Sequence, residues 1–239
     1  MDAGFLLLPE FTPHEAAAGA LRSGAPRRRR PTGATVQVRR FAIGDIVFAE
    51  SDPASEIHEL AQGTAMISRR LPDGRRQIVD IVGPGRLFGF TTGDRHDCTA
   101  VALSAAVVCG LDRRAAQRDP QVAERVARAM IAEIHRLRDL ALLLGCKTAI
   151  ERVASFLVDL IGDDAQAPSE ILSPVSRAEM AAYLGLTIET VSRTFTHLKA
   201  QGFIALPTTR RVDILRPDRL ARLASADRDA PIRDYRAVC

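Results

Sequence analysis

An α+β fold is expected for this chain: an N-terminal β-roll or jelly roll, a long dimerisation helix, and a C-terminal winged helix-turn-helix. Three observations lead there. Short apolar stretches punctuated by glycine turns fill residues 33–115. A regular apolar stripe runs along one long helix within 116–145. Two capped helices with a hairpin behind them lie within 146–223. Residues 1–32 and 224–239 read as tails.

Length and composition fit that division. The 239 residues leave room for two domains with their own cores. Hydrophobic residues are 46% and charged residues 26%, ordinary for a globular protein. The net charge of +4 permits a nucleic-acid partner without requiring one. From Lys147 onward, 13 Lys plus Arg face 12 Asp plus Glu, so attraction to DNA there depends on local placement of charge. Met1-Asp2 lacks a basic leader, and Pro9 cuts off Phe5-Leu6-Leu7-Leu8, so no secretory signal is read. No apolar run is long enough to span a bilayer. Cys98, Cys109, Cys146 and Cys239 show no C-x-x-C spacing, so neither zinc nor a disulfide framework is indicated. A cytoplasmic protein is expected.

In the first tail, Arg27-Arg28-Arg29-Arg30 lies between Pro26 and Pro31, which excludes a helix there. It reads as a solvated charge run, or as an arm adding non-specific phosphate contacts.

The β region follows. Its expected strands lie at Val36/Val38, Ile46–Phe48, Glu59–Ala61, Ala65–Ser68, Gln77–Val82, Ala100–Leu103 and Val107–Leu111. Many short strands at this spacing mean a sandwich or barrel. Pro72-Asp73-Gly74 marks a hairpin turn.

The long helix is expected from Pro120 to Leu144. Ala127, Met130, Ile134, Leu137, Ala141 and Leu144 recur at 3-4-3-4-3, a heptad seam. A single helix with such a seam suits pairing with its own copy, although packing within one chain is the plain alternative. Gly145 and Cys146 are read as a hinge into a helix over Thr148–Leu160, and Gly162–Pro174 as a polar loop.

Val175–Phe203 carries the expected function. Ser176 with Glu179 fits a capping box, Gly185 a left-handed helix stop, and Thr187 a second N-cap. On the second helix Val191, Phe195 and Leu198 share one face. Glu189, Ser192, Arg193 and Thr196 share another. The apolar face would be held by a core and the polar face offered to a major groove. Arg suits guanine, Glu the cytosine amino group, and Ser either edge. An ordinary amphipathic helix pair is the bland alternative. Phe203–Leu206, a basic tip at Pro207–Arg211 and Val212–Leu215 read as a wing. Arg210 and Arg211, with Thr187, Thr190 and Thr196, are the expected contacts to the DNA backbone.

This order of parts resembles the Crp/Fnr transcription regulators over roughly residues 36–223. The most specific stretch is Tyr183–Arg193, similar to the E-x-x-S-R reading helix of the Fnr branch. Asp73–Ile78 and Pro84–Phe90 resemble the corresponding β-domain hairpin and turn. The resemblance implies a cyclic-nucleotide-binding-like β domain. It also implies that Glu189, Ser192 and Arg193 read a TTGA-type half-site of an inverted repeat as a homodimer on double-stranded DNA. RNA polymerase would be a further partner if the protein is an activator.

Departures matter too. Cyclic-AMP-binding members carry Phe-Gly-Glu and a later Arg for the phosphate. Here Phe88-Gly89-Phe90 and Cys98-Thr99-Ala100 stand instead, so cyclic AMP is not expected. The N-terminal tail has no cysteine for a [4Fe–4S] cluster. What remains resembles the FixK-like subgroup, which acts in oxygen-limited respiration or nitrogen metabolism. No cofactor and no metal are expected.

The remaining cysteines and histidines have plainer readings beside the functional ones. Cys98 and Cys109 lie on adjacent expected strands with a turn near Ser104-Ala105, in a register that does not pair them, and read as buried inert thiols. Cys146, at the expected hinge, is the candidate redox residue. His58 and His96 are candidate haem ligands, or simply surface histidines. No nucleophile–base pair, phosphate loop or carboxylate pair is present, so an enzyme is not expected. The alternative function is a regulator of the same fold with a haem, metabolite or cysteine switch in the β domain or hinge.

Overall fold

The computed structural model describes residues 36–161, 170–208 and 211–225. Among the described residues eight strands come first: β1 Val36–Phe41, β2 Ile46–Phe48, β3 Glu56–Gln62, β4 Ala65–Arg70, β5 Arg76–Val82, β6 Leu87–Phe88, β7 Thr99–Ala102 and β8 Ala106–Asp112. They form two antiparallel four-stranded sheets, ordered β1-β8-β3-β6 and β2-β7-β4-β5. One face of each sheet meets the other. Leu60, Phe88, Ala106 and Val108 of the first pack with Phe48, Ala65, Ile67, Val82, Ala100 and Ala102 of the second. Alternate residues of β7 and β8 face this core, whereas β4 is buried on both faces because Met66 joins the cluster of the last domain. Gly63 joins β3 to β4 at φ +88°, where a Cβ would lie 2.4 Å from the Ala105 carbonyl oxygen, so only glycine fits. At the β4–β5 turn Asp73 accepts from the Arg75 backbone N–H at 3.0 Å.

Strand β6 was not expected; two residues are too few to show a period. The relation of Cys98 to Cys109 is also corrected. Strands β7 and β8 do not form a hairpin but belong to opposite sheets, because the Leu103–Ala105 connection crosses between layers. Both thiols are half-buried and unbridged.

A short helix, α1 (Arg113–Arg118), precedes α2 (Pro120–Cys146). Asp119 caps α2 by accepting from the Gln121 and Val122 N–H groups, and Pro120 occupies the first turn. On one side Val122, Val126 and Ala129 pack on Ile57, Leu87 and Leu111 of the β domain. The neighbouring side carries the heptad stripe.

The expected hinge is displaced. Gly145 and Cys146 lie inside α2, and the helix stops at Lys147, whose backbone is extended (φ −88°, ψ 143°). The break falls there because Thr148 and Glu151 open α3 (Ala149–Ile161): the Thr148 N–H donates to the Glu151 carboxylate at 2.8 Å. A capped start one residue further on outweighs the flexibility of one glycine, about 1 kcal/mol within a helix.

The last part contains β9 (Glu170–Leu172), α4 (Arg177–Leu184), α5 (Ile188–Ala200), β10 (Ile204–Ala205), β11 (Arg211–Ile214) and α6 (Pro217–Ala224). The expected polar loop before α4 is corrected in part: Glu170–Leu172 is a strand that covers the open edge of β11. Helix α6 was not expected either. It buries Leu220 and Ala224, and its last carbonyl accepts from Ser155. The Arg27–Arg30 run, Arg210 and Cys239 lie outside the described residues. Among the described residues no helix is long and apolar enough to cross a membrane.

Candidate nucleic-acid interface

Helices α4 and α5 are each held by local chemistry. Ser176 and Glu179 exchange a full capping box at the start of α4. Gly185 ends it at φ +62°, ψ +38°, the left-handed conformation a Cβ disfavours. Thr187 then caps α5, its hydroxyl accepting from the Thr190 N–H at 3.1 Å. Val191, Phe195 and Leu198 are almost fully buried, in one core with Met180, Ala181 and Leu184 of α4 and Ile204, Val212 and Ile214 of the wing.

That packing leaves Glu189, Ser192, Arg193 and Thr196 exposed together on the outer face of α5. The Glu189 carboxyl is held below its usual range by the backbone N–H at the helix start, then by Thr187, with Arg193 adding to it. It stands as an ionised acceptor beside a guanidinium one helical turn away. Ser192 is exposed, and Thr196 donates to its carbonyl at 3.0 Å. Of the expected backbone contacts, Thr187 and Thr190 share a hydroxyl–hydroxyl hydrogen bond of 3.0 Å. In the wing, Arg211 bonds Asp213 at 2.9 Å and stays about one-third exposed.

Sequence reasoning missed three residues here. His197 and Ala200 line the same surface as Ser192, Arg193 and Thr196; continuing the helical period by one more turn would have found them. Arg177, at the first turn of α4, lies with its guanidinium carbon 3.0 Å from the centroid of Phe195. Burial lowers its pKa to about 10, and the ring face stabilises the charge. No spacing rule marks that pairing, since it arises only when the two helices cross.

The seam residues are mostly outward. Met130, Ile134 and Leu137 are about half exposed, and Ile131 and Leu142 extend the same apolar surface. Ala127 and Ala141 are exposed with them. Leu144 departs from the stripe: it packs into the core around α4 instead, because α2 there meets the last domain. Cys146 is exposed on the final turn of α2.

In the β domain, His58 and His96 prove to be core residues, not surface ones. Each is under 5% exposed. Phe48 stacks on His96 at 3.8 Å and on His58 at 5.1 Å between ring centroids. Burial, with Arg39 and His96 nearby, lowers the His58 pKa to about 3. The Cβ of any side chain at Gly89 would come within 3.0 Å of His58, so the rings and the Phe88-Gly89 turn fill this space. Cys98 sits among apolar neighbours. Burial and then Asp97 and Glu50 push its thiol up to about 12. Arg69 opposes the shift. Among the described residues no group of three or more His, Cys, Asp or Glu is placed to hold a metal ion.

A β-sandwich joined through one long helix to a winged helix-turn-helix, with an exposed polar face on its second helix, defines a DNA-binding transcription regulator. Comparison with known proteins gives the family. Residues 38–118 match the cyclic nucleotide-binding domain family, and residues 151–223 the Crp-like helix-turn-helix domain family. The nitrogen fixation regulation protein FixK of Azorhizobium caulinodans is 39% identical over 193 residues, covering 77% of this chain and 78% of that protein. FixK of Bradyrhizobium diazoefficiens is 37% identical, covering 78% and 81%. The solved structure of FixK2 from Bradyrhizobium japonicum superposes with a TM-score of 0.72 at 33% identity, covering 82% of this chain and 99% of that one. The chain belongs to the Crp/Fnr family of transcription regulators, in its FixK-like subgroup.

Proposed function

We propose that this protein is a cytoplasmic transcription activator that binds, as a homodimer, an inverted repeat of TTGA-type half-sites. Glu189, Ser192 and Arg193 read the base edges. Thr187, Thr190, Thr196, Arg210 and Arg211 contact the phosphate backbone. The observation that carries this reading is the outer face of α5, where an ionised carboxylate, a hydroxyl and a guanidinium stand exposed at i, i+3 and i+4. The exposed Met130–Ile134–Leu137 surface of α2 supplies the dimer seam, burying apolar area that one copy leaves in water. Two reading helices about 34 Å apart then match successive major grooves.

Relatives named for nitrogen fixation regulation support a role in nitrogen metabolism or oxygen-limited respiration. RNA polymerase is the partner an activator requires. No cofactor is assigned. The tail lacks cysteines for a cluster, and Cys98 stands where cyclic-AMP-binding members carry the Arg for the phosphate. The test is binding of the purified, ligand-free protein to an inverted TTGA-type repeat at stated salt. Tight binding with discrimination against scrambled duplex is expected; equal affinity for both overturns the reading.

A second reading, a redox switch at the α2–α3 joint, is favoured by the exposure of Cys146. Alkylation of that thiol with a change in DNA affinity, absent in Cys146→Ser, would support it.

A further inference from the structure

The last domain is joined covalently to α2 through Lys147 and Thr148, and Leu143 and Leu144 of α2 pack into its core beside that joint. A second attachment lies away from it. Arg86, in the turn after β5, makes a bidentate pair with Asp80: Nη2 lies 2.6 Å from Oδ2 and Nη1 3.1 Å from Oδ1. The same guanidinium donates to the Ile81 carbonyl at 2.9 Å and to Glu133 of α2 at 2.9 Å. Arg136, one turn further along α2, donates to that Glu133 oxygen through Nε at 3.1 Å. Asp80, Arg86 and Glu133 are all less than one-quarter exposed. Arg125 of α2 with Glu59 of β3, at 2.5 Å, adds a further tie between helix and β domain.

The other end of β5 reaches the reading domain. Gln77 Nε2 donates to the Ala182 carbonyl of α4 at 2.8 Å. Ile78 and Met66 join the apolar cluster that holds Met180, Ala181 and Leu184. Tyr183 of α4 lies within the field of the ion cluster. Burial first, and then Asp80 and Asp159, push its phenol up to about 12, with Glu133 adding and Arg86 opposing. Strand β5 thus touches α4 with Gln77 and grips α2 through Asp80 and Arg86. Buried ion clusters of this kind give little net stability over apolar packing, because desolvation offsets the attraction. Burial raises the Asp80 pKa despite Arg86, and Arg86 Nε is buried with no partner. What the cluster supplies is direction, since a planar guanidinium holding two carboxylates on different elements fixes their relative placement.

We propose that Arg86 is a positioning residue for DNA reading: by holding Asp80 of β5 against Glu133 of α2, it sets the angle of α5 to α2 and hence the half-site spacing a dimer accepts. No small ligand is needed for this; the chain's own charges join the β domain to α2, and the Gln77 amide with Ile78 and Met66 joins β5 to the reader. The inference rests on the dimeric DNA-binding reading above.

Affinity is to be measured for full-length protein on three kinds of duplex: a single half-site, the inverted repeat, and repeats with the spacing shortened or lengthened by a base pair or two. Wild type is expected to prefer one spacing. Arg86→Met is expected to lose about tenfold on that repeat, keep its half-site affinity, and flatten the spacing preference. Arg86→Lys is expected to fall between, keeping charge without the fork. Glu133→Gln and Gln77→Met, which disturb folding less, are expected to flatten the profile in the same sense. If these variants keep the wild-type spacing profile, or lose half-site and repeat affinity equally, the inference is overturned alone. If wild type binds the repeat no better than the half-site, the dimer reading falls and this inference falls with it.

Discussion

Arg152 lies with Nη1 3.0 Å from the Leu184 carbonyl oxygen, so α3 caps the end of the helix that precedes the reader. The same guanidinium donates to Leu144 at the end of α2, at 2.7 Å, and through Nε to Lys147, at 2.9 Å. Three carbonyls left open by two helix ends and a joint are satisfied by one side chain. Arg152→Met removes all three bonds while keeping most of the volume. Hydrogen bonds to a charged group contribute about 1.5–3 kcal/mol each, and water reaches part of this joint, so a total loss of about 2–4 kcal/mol is expected. Chemical denaturation of wild type and variant, compared at equal slope, measures it. A loss below about 0.5 kcal/mol would show that water replaces the cap.

The outer face of α5 makes a prediction about specificity rather than stability. Arg193→Ala is expected to cost about 1–3 kcal/mol in binding and to relax preference at one base pair of each half-site. Glu189→Gln keeps the shape but removes the charge that the helix start stabilises. It is expected to weaken discrimination for cytosine, with only a small fall in the thermal midpoint as the helix start loses its anion. Competition against a library of single-base variants reads both effects. Uniform weakening on all sequences would assign these residues to backbone contact instead.

The buried histidines predict a pH window. His58 has a folded pKa of about 3 against an ordinary 6.5. Between those values the unfolded chain binds a proton that the folded chain excludes. Stability from this site is therefore fully present above pH 6.5 and is lost as pH falls toward 3. His96 is lowered in the same direction by burial, with Asp52 opposing. The His58 site adds a slope of up to about 1.4 kcal/mol per pH unit within its window. His58→Phe should fit between Phe48 and Phe88 and lessen that slope. Urea midpoints at about pH 7.5 and about pH 5 for both proteins test this. Equal acid sensitivity of the two would place the titration elsewhere.

What was legible in the sequence was local. Ser176, Glu179, Gly185 and Thr187 announce helix ends within a few residues, and Val191, Phe195 and Leu198 show their shared face by spacing alone. The exposed polar face of α5 was legible for that reason. The strands were legible by their turns, even β2 and β10 with three and two residues, except β6 and β9, which lie in stretches that read as a turn and a polar loop. Non-local relations were not legible. Nothing near His58 or His96 announces that Phe48 stacks on both, and nothing near Gln77 announces Ala182, 105 residues away. The hinge was misplaced because a glycine was weighted above a helix cap. Leu144 kept the period of the seam yet turned inward, because period says which residues share a stripe and not what that stripe meets.

The remaining seam yields the last prediction. Ile134 and Leu137 lie at the centre of the exposed stripe, about half exposed in one chain, with Met130 and Ile131 a turn earlier. The side of α2 bearing Val122, Val126 and Ala129 is already occupied by the β domain. Charging the seam should therefore separate two copies without unfolding either. Ile134→Lys with Leu137→Glu is expected to give a monomer in sedimentation at micromolar concentration, with circular dichroism unchanged. Each lost side-chain burial is worth about 1.5–3 kcal/mol per copy, enough to shift a dimer constant by several orders of magnitude. The monomer should hold a single half-site with near wild-type affinity but lose the gain from the inverted repeat. A variant that sediments as a dimer would place the contact on another face of the molecule.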